Sequence, residues 1–370
     1  MKVLFTLDTL ANSGTEKSTL DIISHFSKDT MVKVVCFYPG DDLKAAYAAA
    51  GIEVVDMGFP ANMPWYKAIT LFKKLLRHEK PDLVVSSILR ANLISRIACR
   101  QTGIPLVGTF VSDSYSKIRM ESFSRKRRIG FYLYYLLDRF TAGIPKRYIS
   151  NSECIKKSNA AQLRIHPNKV DVVYRGRASQ DYTPKQNSLT PGVFRFVYVA
   201  RLLQTKGLGE LVEAMAMVAQ KHPQAKLEIY GEGNYRKHIT QRINDLHLND
   251  KVTLHGKVPE GWKKLYTADC FVFPSWNEGF SGSLVEAMMV GIPIIASDIP
   301  MNLEAVSPDE TALVYKVKDQ AALAEQMNKS IEHYERMCQM ADRARAIAFR
   351  RFDIQVIASQ YEDILKRVVQ

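Results

Sequence analysis

The chain of 370 residues has few cysteines, and its five are dispersed. None forms a CxxC pair or lies at metal-ligand spacing from a histidine, which argues against a disulfide framework and against a zinc or other metal site. No apolar run approaches the ~20 residues that cross a bilayer. The first apolar run, Val3–Leu7, is too short for the core of a signal peptide. These absences predict a cytoplasmic location.

The sequence also lacks the signatures of two other classes of protein. No G-x-G-x-x-G follows the first predicted strand, which disfavours a dinucleotide-dependent dehydrogenase. No recognition-helix, RNP or zinc-finger pattern is present, so a nucleic-acid-binding protein is the weakest alternative. The formal net charge of +13 points to an anionic partner, and nucleic acid, an anionic membrane surface and phosphorylated substrates are the candidates, among which composition alone does not choose.

The chain does contain a regular alternation of short apolar runs and helix-like stretches. The runs are rich in Val, Ile and Phe and are mostly continuous, which indicates strands that are buried on both faces. They are Val3–Leu7, Val32–Phe37, Ile52–Val55, Leu83–Val85, Leu106–Phe110, Val170–Tyr174, Phe194–Val199, Leu227–Tyr230, Val252–Leu254, Cys270–Phe273 and Ile292–Ala296. Alternating strands and helices form parallel, doubly wound sheets. The prediction is an α/β protein with two Rossmann-like domains that face each other across a cleft.

A polar segment with two prolines, Asp181–Pro191, separates the two halves. Residues 1–185 are therefore predicted to form the first domain and residues 190–350 the second. The pattern after Asp319 is wholly helical, and Phe352–Val369 carries apolar residues at helical spacing. We expect residues 351–370 to form a helix that packs back on the first domain.

The segment from Glu278 to Glu286 is the clearest candidate site. It follows the buried run Cys270–Phe273 and precedes a helix predicted to begin near Ser283. Ligands of open α/β sheets bind at the carboxyl ends of strands, and backbone N–H groups at such loops favour anions. Carboxylates suit sugar or ribose hydroxyls because each accepts several hydrogen bonds. Two structural alternatives stay open: Ser283-x-x-Glu286 is also a capping box, and Glu278 is also typical of a solvated loop.

A second candidate loop, Val199–Gly207, follows the first predicted strand of the second half. Arg201 offers a fork of donors and Lys206 a compact positive charge, and both suit a diphosphate. Such cations would stabilise the negative charge that develops on a nucleoside-diphosphate leaving group. The alternative is ordinary surface charge beside a turn.

Three glycines mark weaker candidate loops. Gly231 and Gly233 follow one predicted strand, and Gly14 follows the first strand of the chain. Glycine lets the backbone approach a ligand closely. A plain strand–helix turn is an equal alternative for these glycines, with Thr15 as the helix N-cap in the last case.

These loops resemble those of retaining glycosyltransferases of the two-Rossmann-domain (GT-B) type, in a family 4-like form. Glu278 to Glu286 is similar to the E-x7-E element of that family, and the run Ala287–Ser297 is similar to the stretch that follows it. The resemblance implies that Arg201 and Lys206 hold the donor's pyrophosphate, that Glu278 binds the donor sugar and that Glu286 binds the ribose. Arg201, Lys206 and Glu278 are thus the predicted catalytic residues.

The resemblance implies further donor-binding residues, several of them through the backbone. Besides Glu286 these are Gly14, Gly231, Gly233, Val258, Gly279, Phe280, Ser281, Gly282 and Ser283.

The chain departs from the family pattern at three places. Ala200 replaces a usual glycine, and Ser281-Gly282 stands where Gly-Pro or Pro-Leu is common. Val111, followed by Ser112 and Asp113, occupies the position of a histidine that contacts the donor sugar in many relatives. Ser112 and Asp113 are candidates for part of that role, but the sequence does not favour either. No protein base is predicted, and the resemblance implies that the leaving phosphate oxygen accepts the acceptor's proton.

A basic run precedes an aromatic stretch in the first half. Arg125, Lys126, Arg127 and Arg128 lie at the start of a predicted helix, where cations oppose the helix dipole. An anionic membrane surface or a lipid-diphosphate acceptor would attract these charges. The alternative is a solvated basic loop ahead of a core helix.

The residues and the resemblance together predict a retaining, metal-independent glycosyltransferase that needs no cofactor. It would move a sugar from a nucleoside-diphosphate donor, bound by the second domain, to a saccharide or polyprenyl-linked acceptor at the first. Synthesis of a surface polysaccharide at the inner face of the cell membrane is the expected setting. The alternative is a nucleotide-sugar epimerase on the same fold, which would need an acid/base set that the sequence does not show.

Overall fold

The computed structural model describes residues 1–116, 120 and 125–370, and describes the side chains of all of these except residues 125–127. The chain divides into two compact units, each of which is described by itself. Unit 1 comprises Met1–Gly176 and Ile354–Gln370, and unit 2 comprises Arg177–Asp353. Each unit contains one parallel sheet with helices between successive strands. The prediction of two Rossmann-like α/β domains is confirmed.

Unit 1 is built on a seven-stranded sheet with the spatial order β3-β2-β1-β4-β5-β6-β7. Its strands are β1 (Lys2–Leu7), β2 (Met31–Cys36), β3 (Glu53–Asp56), β4 (Leu83–Ser86), β5 (Leu106–Phe110), β6 (Arg147–Ser150) and β7 (Val170–Val172). Its described helices are Gly14–Ile23, Lys44–Ala49, Trp65–Glu79, Leu89–Thr102, Arg125–Thr141, Glu153–Leu163 and Ile354–Val369. The strand order reverses between β1 and β4, which makes their carboxyl ends a topological switch point.

Unit 2 is built on a six-stranded sheet with the order β10-β9-β8-β11-β12-β13. Its strands are β8 (Phe194–Val199), β9 (Ala225–Tyr230), β10 (Val252–Gly256), β11 (Cys270–Phe273), β12 (Ile294–Ser297) and β13 (Leu313–Tyr315). Its helices are Leu208–Lys221, Arg236–Asp245, Gly282–Val290, Pro300–Leu303, Gln320–Glu332 and Tyr334–Arg351. The switch point of this sheet lies between β8 and β11.

Two of these strands, β6 and β13, are absent from the sequence-based prediction. β6 begins with Arg147, whose guanidinium Nε lies 2.6 Å from Asp171 Oδ2 on the neighbouring strand β7. β13 has only three residues. β6 is polar at its ends and β13 is short, so neither stands out as a continuous apolar run.

The passage between the units differs from the predicted linker. The polar segment Asp181–Pro191 belongs to unit 2, where the ring of Tyr182 lies 4.7 Å from that of Trp262 and Lys185 N donates to Val290 O at 3.0 Å. The chain leaves unit 1 after Gly176, so the first domain ends earlier than residue 185. A polar segment that packs against the surface of a domain can have the same composition as a free linker. Composition alone therefore did not distinguish the two.

The C-terminal helix Ile354–Val369 is part of unit 1. The ring of Tyr361 lies 6.2 Å from Phe5 and 6.1 Å from Phe26. Ser27 Oγ donates to Glu362 at 2.6 Å, and Thr30 also donates to this carboxylate. An apolar face and one buried carboxylate thus attach the last helix to the sheet that begins with β1.

Among the helices that the structure describes, none is both long enough and apolar enough to span a bilayer.

Candidate functional site

Three loops of unit 2 leave the carboxyl ends of adjacent strands. Residues 200–207 follow β8, residues 231–235 follow β9 and residues 274–281 follow β11. They therefore meet at one edge of the sheet, beside its switch point, where open α/β sheets bind ligands.

Gly231 and Gly233 are required by contact with a neighbouring loop. A Cβ on Gly231 would lie 1.9 Å from the carbonyl oxygen of Ala200, and one on Gly233 would lie 2.1 Å from that of Leu202. Leu202 N also donates to Glu232 O at 2.9 Å. Gly231 and Gly233 thus allow the backbone of the loop after β8 to pack closely against them. Their contact with a donor remains a prediction.

Gly207 joins the loop after β8 to the loop after β11. Its φ is +72°, and a Cβ here would lie 2.0 Å from the carbonyl oxygen of Pro274. Trp276 N donates to Thr205 O at 2.9 Å between the same two loops. Backbone contacts therefore set the position of each loop relative to the other.

Lys206 and Glu278, which are 72 residues apart, form an ion pair across these loops. Ser275 Oγ donates a second hydrogen bond, of 2.6 Å, to the same carboxylate oxygen of Glu278. The side chains of Lys206 and Glu278 are only 13% and 12% exposed. Glu278 is therefore held in place and is not a solvated loop residue.

Arg201 is the second cation on the loop after β8, beside Lys206. The residue is exposed, and Tyr198 Oη donates to its carbonyl oxygen at 3.1 Å. Among the described residues, no side chain forms an ion pair or hydrogen bond with its guanidinium. The charge of Arg201 is thus available to an anion at the mouth of the loops.

The helix after β11 begins one residue earlier than predicted, at Gly282. Its N-cap is Ser281, whose Oγ accepts a hydrogen bond from Leu284 N at 3.3 Å. The capping box Ser283-x-x-Glu286 is therefore wrong, because Ser283 lies inside the helix. The carboxylate of Glu286 is left to interact with a side chain elsewhere in the unit.

That side chain is Arg177, which sequence reasoning missed. Its Nε donates to Glu286 Oε1 at 2.8 Å, although the two residues are 109 positions apart. A Cβ on Gly282 would lie 2.1 Å from Arg177 Nη2, so the glycine leaves room for the guanidinium. The only hint in the sequence was the glycine at position 282, where the family usually has another residue. The structure explains this glycine, because a side chain here would collide with Arg177.

The remaining predicted donor residues of unit 2 lie around this edge with different exposures. The side chain of Phe280 is buried, with its ring 5.3 Å from that of Phe352, so only its backbone can face a ligand. Gly279, Ser283 and Val258 are half-buried, and Val258 follows β10 beyond the loop after β9.

In unit 1, Gly14 is the first residue of helix Gly14–Ile23, and its N-cap is Ser13 rather than Thr15. The Oγ of Ser13 donates to the carboxylate of Glu16, which is only 3% exposed. A Cβ on Gly14 would lie 3.1 Å from Arg175 Nη1. Gly14 therefore lies next to the guanidinium of Arg175, which belongs to the same unit. A cation at this position would suit an anionic ligand.

A cavity of about 400 Å³ opens beside this helix at the ends of β1, β4 and β5. It is lined by apolar and hydroxyl side chains and by the charged or amide side chains of Asp8, Glu16, Arg90, Asn92, Asp138 and Asn159. Asp8 accepts a hydrogen bond from Ala91 N at 2.7 Å, and Arg90 Nε lies 3.7 Å from its other oxygen. Burial outweighs these interactions and raises the pKa of Asp8 to about 6.

Two further features of this cavity are typical of binding sites. Asn92 is 7% exposed, and its Oδ1 has no hydrogen-bond partner among the described residues. Ile88, a branched residue, has a φ of +74° just before helix Leu89–Thr102, which is a strained conformation.

The residues in place of the family histidine have defined partners. Val111 O accepts a hydrogen bond from Asn151 Nδ2 at 2.9 Å, and Ser112 O accepts one from Asn159 Nδ2 at 3.1 Å. Asp113 accepts one from Ser158 Oγ at 2.8 Å. The carboxylate of Asp113 is thus engaged by helix Glu153–Leu163, whereas Val111 and Ser112 line the cavity.

Two family models match this chain in succession. The model of Glycosyltransferase Family 4 matches residues 12–178, and that of glycosyl transferases group 1 matches residues 179–347. Their junction falls two residues after the end of the first segment of unit 1.

Three relatives are similar to it over much of its length. The Staphylococcus aureus capsular polysaccharide biosynthesis glycosyltransferase CapM is 24% identical over 80% of this chain and 79% of its own. The Escherichia coli UDP-Gal:alpha-D-GlcNAc-diphosphoundecaprenol alpha-1,3-galactosyltransferase is 27% identical over 64% of this chain and 62% of its own. An uncharacterized glycosyltransferase of Methanocaldococcus jannaschii is 28% identical over 61% of this chain, which spans only 57% of that relative.

The fold is similar to that of a crystal structure of the Anabaena protein HepE in complex with UDP. The TM-score is 0.84 at 22% identity, and the match covers 99% of this chain and 100% of the other. The two sheets, the loops at their carboxyl ends and the two successive family matches lead to the same assignment. The chain belongs to the glycosyltransferases of the GT-B fold.

Proposed function

We propose that the protein is a retaining, metal-independent glycosyltransferase that uses a nucleoside-diphosphate sugar. The observation that carries this proposal is the cluster of Lys206, Glu278 and Arg201 on two joined loops at one sheet edge. A cationic pair next to a fixed carboxylate suits a ligand that combines a diphosphate with a hydroxylated sugar.

Arg201 and Lys206 would bind the diphosphate of the donor. Lys206 is already held by Glu278, so its ammonium would neutralise charge with little rearrangement. Glu278 would in turn accept hydrogen bonds from hydroxyls of the sugar. A uridine nucleotide is the first candidate, because HepE is described with UDP and the E. coli relative is named for UDP-Gal.

Glu286 would accept hydrogen bonds from the ribose hydroxyls. Arg177 would act as a positioning residue, because its guanidinium donates to Glu286 Oε1 and so fixes the orientation of this carboxylate. Gly282 supports this arrangement by leaving space for the guanidinium.

The transfer would proceed on one face of the donor sugar. The bond between the anomeric carbon and the diphosphate oxygen breaks, and the acceptor oxygen bonds to the same carbon from the same side. The proton of the acceptor hydroxyl passes to the departing phosphate oxygen, so no protein base is required. Arg201 and Lys206 would stabilise the charge on the departing diphosphate, the role that a metal ion has in other transferases. No cofactor is proposed.

The acceptor would bind to unit 1, in the cavity lined by Asp8, Glu16 and Asn92. Carboxylate and amide oxygens in such a cavity suit sugar hydroxyls. The names of CapM and of the E. coli galactosyltransferase support a saccharide or polyprenyl-linked acceptor and a role in the synthesis of a surface polysaccharide.

A location at the inner face of the cell membrane is part of the same proposal. Of the four basic residues predicted to contact a membrane surface, the side chains of Arg125, Lys126 and Arg127 lie outside the described residues. Arg128 is exposed.

The proposal is tested by incubating the purified chain with UDP-, GDP- and dTDP-sugars and with free or lipid-linked saccharides, in the presence of EDTA. We expect transfer from at least one donor, with the anomeric configuration of the donor retained in the product by NMR. Loss of transfer in EDTA would refute metal independence, and an inverted product would refute retention. Conversion of the donor to its epimer without an acceptor would instead identify an epimerase.

A further inference from the structure

Helix Arg125–Thr141 of unit 1 presents apolar side chains to the solvent. Ile129, Tyr132, Leu133, Leu137 and Phe140 are 68%, 54%, 59%, 49% and 85% exposed. At about 100° per residue these five lie within an arc of about 140° on the helix. We call these five residues the apolar face. A contiguous apolar surface of this kind is characteristic of an interaction site.

The opposite side of the helix is held inward by polar groups. Asp138 is 5% exposed and accepts hydrogen bonds from the guanidinium of Arg96, which is completely buried, and from the hydroxyl of Tyr115. Tyr135 Oη donates to Gln162 O at 3.0 Å. Rotation of the helix to bury the apolar face would break a buried ion pair, which is strongly unfavourable. The apolar face is therefore built to point outward.

Basic residues surround the exposed end of this face. Phe140 lines two surface cavities, one of which is also lined by Arg100 and Lys146 and the other by Arg139 and Arg164. Among the described residues that line either cavity there is no Asp or Glu. The rim of the apolar face is thus positively charged, like the polar sides of helices that lie on anionic membranes.

We propose that the apolar face docks the protein on an anionic lipid bilayer, with helix Arg125–Thr141 lying parallel to the membrane plane. The aliphatic and aromatic side chains would enter the interface between headgroups and acyl chains, and the four basic side chains around Phe140 would contact lipid phosphates. A protein partner would need acidic side chains positioned to match these cations, whereas an anionic bilayer supplies negatively charged phosphates without fixed geometry. This inference rests on the membrane location proposed above and names the surface responsible for it, whereas its test, vesicle binding, does not depend on glycosyl transfer.

The inference is tested by co-sedimentation of the full chain with vesicles of phosphatidylcholine containing 30% phosphatidylglycerol and with vesicles of phosphatidylcholine alone. The wild-type chain should bind the anionic vesicles at least tenfold more tightly, and 0.5 M NaCl should weaken this binding. The variant Leu133→Ser/Phe140→Ser should lose at least tenfold in vesicle affinity. Both side chains are exposed, so the variant should unfold at the same temperature as the wild type.

The control is Leu189→Ser/Leu303→Ser, which removes two apolar side chains of unit 2 that are 47% and 42% exposed, and it should bind vesicles normally. A second variant, Arg100→Gln/Arg164→Gln, should lose the preference for anionic vesicles. Equal vesicle binding by Leu133→Ser/Phe140→Ser and wild type would overturn the inference. So would a wild-type chain that does not bind anionic vesicles, and dimers of that chain which this variant abolishes would show that the face binds a second copy instead.

Discussion

The strand-end loops of the two units differ in how their charged groups are satisfied. In unit 2, Glu278 and Glu286 each have a cationic partner, Lys206 and Arg177, and backbone contacts join the loops. In unit 1, Asp8 lies beside a cavity with its nearest cation, Arg90, 3.7 Å away. Burial there raises the pKa of the carboxyl group.

This difference indicates two kinds of binding site. The unit 2 loops are preorganised, so an anionic ligand finds its cations and carboxylates in place. The unit 1 cavity holds a carboxylate that is destabilised by burial and an amide oxygen without a partner among the described residues. Such groups gain most from a neutral ligand with hydroxyl donors, as a saccharide is.

The largest expected effect is on the joined loops of unit 2. Gly207→Ala places a methyl group 2.0 Å from Pro274 O at a φ of +72°, and we expect a loss of about 3–4 kcal/mol in the free energy of unfolding. Gly192→Ala is the matched control, because its φ is +78° with no atom within 4 Å of the added methyl group. It should cost about 1–2 kcal/mol. Urea denaturation measures both, and equal losses would show that the contact between the loops is not important.

The second prediction concerns the unit 1 cavity. The pKa of Asp8 rises from 3.8 to about 6 on folding, so the folded chain binds the extra proton between these values. Ionisation of Asp8 therefore lowers the free energy of unfolding as pH rises from about 4 to about 6. Above that range this loss of stability stays constant. At ~1.4 kcal/mol per pH unit this cost is up to about 3 kcal/mol.

Asp8→Asn should remove this cost, because the amide oxygen can still accept from Ala91 N. We expect the variant to be more stable than wild type at pH 7.5, with a flatter pH dependence in thermal unfolding, and to bind the acceptor more weakly. The exposed Asp41→Asn is the control. A variant that is less stable than wild type at pH 7.5 would contradict this account of the cavity.

A smaller effect is expected at the second ion pair of unit 2. Arg177→Ala removes the group that positions Glu286, and we expect the KM for the donor to rise about tenfold, or ~1.4 kcal/mol, while the KM for the acceptor stays unchanged. Arg177→Lys should recover part of the loss, since it restores the charge but not the fork. Lys329→Ala, at an exposed pair on helix Gln320–Glu332, is the control. A rise confined to the KM of the acceptor would assign Arg177 to a different ligand.

The smallest effect distinguishes the two serines at the start of helix Gly282–Val290. Ser281 accepts from Leu284 N, so Ser281→Ala should cost about 1 kcal/mol in the free energy of unfolding. Ser283→Ala should change it by less than about 0.5 kcal/mol. The opposite order in denaturation experiments would restore the capping box that the structure excludes.

The sheets and the edge that carries the donor site could be predicted from sequence. Continuous apolar runs such as Cys270–Phe273 mark buried strands, and the Glu278 and Lys206 loops follow two of them. β13 has only three residues, which explains why it was not predicted. The pairing of Arg177 with Glu286 could not be predicted either, because it depends on a contact between residues 109 positions apart.

The start of the helix after β11 shows a different limit. Both Ser281 and Ser283 are suitable N-caps, and only the latter has Glu three residues later. The local pattern therefore favoured Ser283, whereas the loop geometry selects Ser281 and leaves Glu286 to Arg177. At this site the contact between Glu286 and Arg177 therefore outweighs the local preference of Glu286 for a capping box.

The central claim is that the joined loops of unit 2 bind a nucleoside diphosphate. Calorimetric titration of UDP, GDP and dTDP into the wild-type chain and into Arg201→Ala/Lys206→Ala, both in EDTA, tests it most directly, with Lys329→Ala as the control. We predict that wild type and control bind at least one of the three and that the double variant binds it at least 100-fold more weakly, or ~2.7 kcal/mol. Unchanged affinity in the double variant, or no binding of any of the three by the wild type, would contradict the claim.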